Sequence, residues 1–166
     1  VVCRRQRQMC IRDRGKSTIQ NKHGTIIDHA DVRRMLISMR ADIFASRSIE
    51  LENAKAIDMA NATGEPEWIS KAAFLTPITK VFGTEIGINI SNLGVQIHGG
   101  MGFIEETGAA QFSRDVRVTA IYEGTNGIQA MDLVGRKMMD NGETAYAIIN
   151  QIKDCLLYTS PSPRDG

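Results

Sequence analysis

The sequence predicts an all-α domain. Apolar residues recur at helical spacing in successive segments between Gly15 and Asp154, glycine, proline and Asn-Gly pairs separate those segments, and no internal repeat or low-complexity linker divides them. With 42% hydrophobic and 23% charged residues in a chain of 166, the composition is that of one ordinary soluble domain able to bury a core.

In chain order, Thr25-Ile26-Ile27 reads as an extended entry, and Asp28, with Asp31 three residues on, as an N-cap followed by a first-turn acid. Val32, Met35, Leu36, Met39 and Ile43 then recur at helical spacing opposite Arg33, Arg40 and Arg47. This helix is predicted to run to about Ala62 and stop at Thr63-Gly64. A second helical region follows Pro66, interrupted or restarted at Thr76-Pro77, where proline suits a first turn. Its residues Ile78, Val81, Phe82, Ile86, Ile90 and Leu93 are apolar on more than one face, as in a helix packed on several sides. Gly83, Gly87 and Gly94 each weaken it by roughly 1 kcal/mol relative to alanine, and close helix packing is the reading preferred for them. After a break at His98-Gly99-Gly100-Met101-Gly102, a shorter helix spans Gly108 to about Val116. Asn126 with Gln129 has the capping-box spacing that opens a helix through Ile128, Met131 and Val134, which Asn141-Gly142 ends. Tyr146, Ile149 and Ile152 mark a last helix, cut off before its natural end.

The two ends read differently. Residues 4–14 are basic and patternless, and Cys155-Leu156-Leu157-Tyr158-Thr159-Ser160 runs into Pro161-Ser162-Pro163. One coding of Cys155 to Ser160 is TGTCTCTTATACACATCT; its reverse complement contains ATGTGTATAAGAGAC, which translates as Met-Cys-Ile-Arg-Asp, the residues Met9 to Asp13. Both ends thus read as one DNA element in opposite orientations, resembling a transposon-type sequencing adaptor. Residues 1–14 and 155–166 are therefore expected to be non-native, flanking a truncated domain over residues 15–154. Their removal takes six of 20 basic and two of 19 acidic residues, leaving 14 against 17, so the net charge moves from +1 to −3. The basic arm is then no argument for a nucleic-acid partner, which needs a clustered basic face. Cys3, Cys10 and Cys155 leave with the ends, and with them any disulfide framework or cysteine metal site. His23 and His29 lack partner spacing for a metal and read as surface residues, so no metal site is expected. The eight methionines read as core filler. No apolar run reaches a membrane span and no secretory h-region is present, so a cytoplasmic-type compartment or an organelle matrix is expected.

Two segments between helices depart from helix logic. Glycines 99, 100 and 102 either let backbone N–H groups approach an anion such as phosphate or simply make a sharp turn. Glu123, between Ile121-Tyr122 and Gly124, is either a solvated loop acid near a helix dipole or a general base whose basicity rises when an apolar ligand displaces its water. Arg114-Asp115 reads as a structural ion pair or helix-end contact.

Gln96-Ile97-His98-Gly99-Gly100-Met101-Gly102-Phe103, Arg114-Asp115 and Ile121-Tyr122-Glu123-Gly124-Thr125 closely resemble, in order and spacing, the C-terminal motifs of the acyl-CoA dehydrogenases. The resemblance covers essentially Gly15 to Asp154. Phe74-Leu75-Thr76-Pro77, residues 102–110 and Asp132-Leu133-Val134-Gly135-Arg136-Lys137 look most like that family's longer bacterial branch. It implies a three-domain flavoenzyme of which this chain supplies only the C-terminal four-helix bundle. By the resemblance, Glu123 removes the pro-R α-proton of an acyl-CoA while a β-hydride passes to flavin N5. Its backbone N–H, with a flavin ribityl hydroxyl, polarises the thioester carbonyl. Gly124 would lie against the thioester, Thr125, Asn126 and Gly127 would contact FAD, and Gln96, Ile97, His98, Gly99 and Gly100 would contact FAD across a subunit interface. His98 would support packing rather than catalysis. Acyl-CoA as substrate, electron-transfer flavoprotein as acceptor and a homodimer or homotetramer are the implied partners. The chain alone, without the other domains, would be inactive. An acyl-CoA oxidase fragment is a second reading, to be separated by oxygen access to the flavin. A non-enzymatic helical interaction module is a third, which the core's negative charge disfavours.

Overall fold

The computed structural model describes residues 26–159, and within them every regular element is helical. The expectations for residues 1–14, His23, Thr25 and 160–166 lie outside the described residues. The elements are α1 (Ala30–Thr63), α2 (Pro66–His98), α3 (Gly100–Phe103), α4 (Ala109–Val116), α5 (Asn126–Asp132) and α6 (Glu143–Thr159). Short 3-10 turns lie at Ile26–Asp28, Glu105–Thr107 and Arg117–Ala120, and a π-helical turn at Leu133–Lys137 follows α5. The chain divides into two compact units. Residues 26–47 with Thr84–Ala120 make the first, and Ser48–Gly83 with residues 121–159 the second.

In the first unit the entry is a 3-10 turn rather than extended chain, and α1 begins at Ala30. Asp28 and His29 are both buried there, so Asp28 stands one residue too early to be the N-cap and His29 is not on the surface. The Nδ1 of His29 has no hydrogen-bond partner among the described residues. Val32 and Met35 are buried as their spacing predicts, whereas Ile43, farther along that stripe, is exposed. Ser113 of α4 donates to Asn92 of α2 at 2.7 Å. A Cβ on Gly87 would meet Val116 at 3.0 Å, so close helix packing accounts for that glycine. It does not account for Gly94, which has open space at the same position.

In the second unit the turn between α1 and α2 is made by Gly64 at φ 69, with its N–H donating to the Ala60 carbonyl at 2.9 Å. Ala56, Ala72 and Leu75 are buried. So is Lys71, whose Nζ donates to Glu52 of α1 at 2.6 Å and to Gln151 of α6 at 3.1 Å, tying three helices together. Above all through that hydrogen bond, Lys71 holds the Glu52 carboxyl below its ordinary value, with Lys71 and Lys55 charges adding to it against partial desolvation. The Trp68 ring lies 5.4 Å from the Lys71 Nζ and 5.6 Å from that of Lys55.

Helix α2 is continuous through Thr76-Pro77, against the interruption the proline predicts. Pro77 is itself buried, and Thr76 Oγ1 donates to the Ala72 carbonyl at 2.8 Å. Burial of Pro77 itself and of Lys71, Ala72 and Leu75 in the turns before it offsets the missing N–H. Ile78, Val81, Ile86, Ile90 and Leu93 are only half-buried and Phe82 is exposed, so less of α2 is covered in this chain than its apolar faces predict. Among the described residues Met35 is the buried methionine; Met131 and Met139 are about three-quarters exposed and are not core filler here. Asn141 and Gly142, both at positive φ, end the helical run after the π-turn as expected. The Asp140 carboxylate accepts from Thr144 Oγ1 at 2.6 Å, Thr144 N at 3.0 Å and Gly142 N at 2.9 Å, capping α6. Those bonds, the Thr144 hydroxyl first, hold its carboxyl below the usual range. Helix α6 continues to Thr159, past Asp154. No described helix is long and apolar enough to cross a membrane.

Candidate functional site

Gln96 to Phe103 lie in the first unit. Helix α2 ends at His98, whose Nδ1 stands 2.8 Å from the Gly94 carbonyl and so carries the proton donated to it. Gly99 turns the chain at φ 63, its N–H donating to the Gln96 carbonyl at 3.1 Å, and the Gly102 N–H returns to the Gly99 carbonyl at 2.8 Å. A Cβ on Gly102 would overlap the Val95 carbonyl. Gly99 thus serves the turn and Gly102 the close return of backbone onto α2, whereas a side chain at Gly100 would meet nothing within 4 Å. Thr107 Oγ1 donates to the Met101 carbonyl at 2.7 Å, closing the connection to α4. Arg114 pairs with Glu105 at 2.7 Å. Arg114 thus makes a structural ion pair, with Glu105 rather than Asp115. Beside this segment is a largely apolar cleft of about 450 Å³, lined by Gly87, Ser91, Gly94 and His98 of α2 with Thr107 and Phe112.

Glu123 to Gly127 lie in the second unit. Glu123 adopts φ 51 and Gly124 φ 86, two left-handed residues in succession. For a glutamate this costs about 1 kcal/mol or more and persists only where the surroundings determine it. Four contacts do so. Gln129 Nε2 donates to the Glu123 carbonyl at 3.2 Å, and Lys80 Nζ donates to the Gly124 carbonyl and to Asn126 Oδ1, each at 2.8 Å. Thr125 Oγ1 accepts from Ile128 N at 3.3 Å, which makes Thr125, not Asn126, the N-cap of α5. The Glu123 side chain is exposed, with no hydrogen bond or ion pair to its carboxylate among the described residues. The carboxylate is thereby left available to a ligand while its backbone is fixed.

The sequence-predicted residues therefore fall into one cluster in each unit: Gln96, Ile97, His98, Gly99 and Gly100 in the first, Glu123, Gly124, Thr125, Asn126 and Gly127 in the second. Sequence reasoning missed Lys80 and Gln129. The signal for Lys80 was present: between Pro77 and His98 only Lys80 and Glu85 interrupt the run with a full charge.

Residues 11–139 match the family model described as acyl-CoA dehydrogenase, C-terminal domain. The match begins inside the segment read as adaptor-derived. Among curated relatives, a 3-methylmercaptopropionyl-CoA dehydrogenase of Ruegeria pomeroyi is 52% identical over 131 residues, covering 76% of this chain and 22% of the relative. A butyryl-CoA dehydrogenase of Syntrophomonas wolfei is 33% identical over 152 residues, covering 84% of this chain and 25% of the relative. A broad-specificity linear acyl-CoA dehydrogenase of Mycobacterium tuberculosis is 32% identical over 136 residues, with 78% and 22% covered. The chain thus spans about a quarter or less of the length of these relatives.

Proposed function

The chain belongs to the acyl-CoA dehydrogenase family, as its C-terminal all-α domain, and from that premise we propose that it is the base-bearing part of an enzyme that introduces an α,β double bond into an acyl-CoA thioester. The observation that carries the reading is the state of Glu123: strained backbone clamped by neighbours, carboxylate exposed and without a partner among the described residues. A merely solvated loop acid would need no such clamped left-handed backbone.

In the proposed reaction the Glu123 carboxylate takes the α-proton, becoming a carboxylic acid, as the Cα–H electron pair moves into the new Cα–Cβ bond. The Glu123 N–H donates to the thioester carbonyl and stabilises the charge that develops there. Closure of acyl-CoA over the loop removes water from Glu123, which disfavours its charged form and raises its basicity. Gly124, with no side chain, lets the thioester lie against the backbone. Bound FAD supplies the acceptor for the β-hydride. Each unit by itself has a feature that fits that group: in the first, the open space at Gly100 and the exposed Gln96 side chain, without a partner among the described residues, and in the second, Gly127, where an added Cβ would meet only the Thr125 hydroxyl, at 3.8 Å. On this reading Ile97, His98 and Gly99 shape the same contact, and Thr125 and Asn126 flank Gly127. We further propose a homo-oligomeric full-length enzyme in the bacterial cytoplasm, electron-transfer flavoprotein as its acceptor, and residues 1–14 and 155–166 as adaptor-derived.

The test is Glu123→Gln in the full-length enzyme, followed by anaerobic stopped-flow bleaching of the flavin with an acyl-CoA. Loss of a positioned base lowers the rate by about a hundredfold to ten-thousandfold, with FAD and acyl-CoA binding retained, while Glu106→Gln leaves it nearly unchanged. Flavin reduction by Glu123→Gln near the wild-type rate would remove the catalytic assignment.

A further inference from the structure

Lys80 lies midway along α2, half-buried, among the apolar Ile78, Val81 and Phe82. Its ammonium has three donors. Two go to partners 44 and 46 residues away in sequence, the Gly124 carbonyl and the Asn126 side chain, and no carboxylate pairs with it among the described residues. A partly buried lysine kept only for its charge would be expected beside an acid, as Lys71 is beside Glu52. Lys80 instead holds the backbone of the residue after Glu123. We propose that Lys80 is a positioning residue for the base: by holding the Gly124 carbonyl and Asn126 together, it keeps Glu123 in its left-handed conformation and so aims the carboxylate.

The geometry explains how. A peptide group is planar, so fixing a carbonyl fixes the whole plane. The Glu123 carbonyl is held by Gln129 and the next one by Lys80, so both peptide planes following the Glu123 Cα are anchored. The Cα–Cβ bond leaves from that Cα, so the point and direction from which the Glu123 side chain sets out follow, and its own torsions do the rest. Charge-assisted bonds are the stronger kind, and a long helix gives Lys80 a stiff mount. The inference rests on the reading of Glu123 as the base, and its test separates the two.

In the 166-residue chain, Lys80→Met keeps the stem and removes the donors. Amide exchange at Ile128 and Gln129, whose N–H groups are bonded to Thr125 at the end of the loop, is expected to quicken by about tenfold to a hundredfold, the range set by a hydrogen bond to a charged group, while α6 is unchanged. Lys80→Arg restores part of the protection. Unchanged exchange at these two amides overturns the proposal. Should Lys80→Met fail to fold, Asn126→Ala removes one of the two contacts, and it too must quicken exchange at Ile128 and Gln129 while α6 is unchanged. In the full-length enzyme, Lys80→Met lowers kcat by a similar factor and moves KM for acyl-CoA by less than about twofold, since one contact that aims the base is lost and none that binds substrate. A kcat unchanged in Lys80→Met, with Glu123→Gln inactive, ends the positioning role but leaves the base. Full activity in Glu123→Gln ends the base reading, while the exchange result still reports on the loop.

Discussion

At Glu52 and Lys71 a hydrogen bond gives the second unit part of its response to acid, beside the Asp140 cap of α6. The Glu52 carboxyl is held below its ordinary value of 4.5, first by the Lys71 hydrogen bond. A depressed carboxylate contributes stability that is fully present above its unfolded value and lost as pH falls through its folded value. The second unit is therefore expected to lose stability as the medium is taken from neutrality to below 4.5, and Glu52→Gln is expected to flatten that limb while lowering stability at neutral pH. Thermal melts of both proteins across that range check this. Because the Glu52 side chain is 39% exposed, solvent screening keeps the effect modest. Lys71→Met behaves differently from Glu52→Gln, since it removes a buried ion together with the need to pair it.

At the scale of elements, Pro77 shows a helix made by packing against local preference. A proline inside a helix costs about 3 kcal/mol, and Pro77→Ala gives up roughly two buried carbons at about 0.8 kcal/mol each. Pro77→Ala is thus expected to stabilise the chain by about 1 kcal/mol without changing its helix content, as measured by urea unfolding followed by circular dichroism. Such cases show what the sequence makes legible. Helices whose limits depend on local chemistry were readable: Thr63-Gly64 ends α1, Gly108 opens α4 and Asn141-Gly142 closes the run after α5. Continuity through Thr76-Pro77 was not, because it depends on burial. The cap of α5 was missed by one residue because Asn126, the better capping residue by type, is occupied by Lys80 from α2. At the site, the motif marked Glu123 and the glycines near it, but its clamps, Lys80 and Gln129, act across space or through a bent loop that no spacing rule encodes.

For the chain as a whole, the exposed apolar side chains set the expectation. Phe44 is 76% exposed, Phe103 81%, Phe112 74% and Met131 73%, far from the pattern of a free-standing monomer. These residues lie in both units. The chain alone is expected to self-associate in a concentration-dependent way, seen by sedimentation velocity, and to bind FAD weakly, seen by titration of flavin fluorescence. Partial contacts do not offset the free energy of ordering a cofactor. A monodisperse monomer with stoichiometric, tight FAD binding would show that the rest of the enzyme is dispensable for both.

The chain holds a single tryptophan, and the ammonium groups of Lys55 and Lys71 both lie within 6 Å of the Trp68 ring, at 5.6 and 5.4 Å from its centroid. Lys71 stays near the ring whenever α2 is helical, but Lys55 comes from α1, so its approach depends on the two helices meeting. Indole emission is therefore an intrinsic gauge of the second unit alone, sensitive to the pairing of α1 with α2 and blind to the first unit. Comparing its melting curve with the loss of ellipticity would reveal whether the two units come apart together or one at a time.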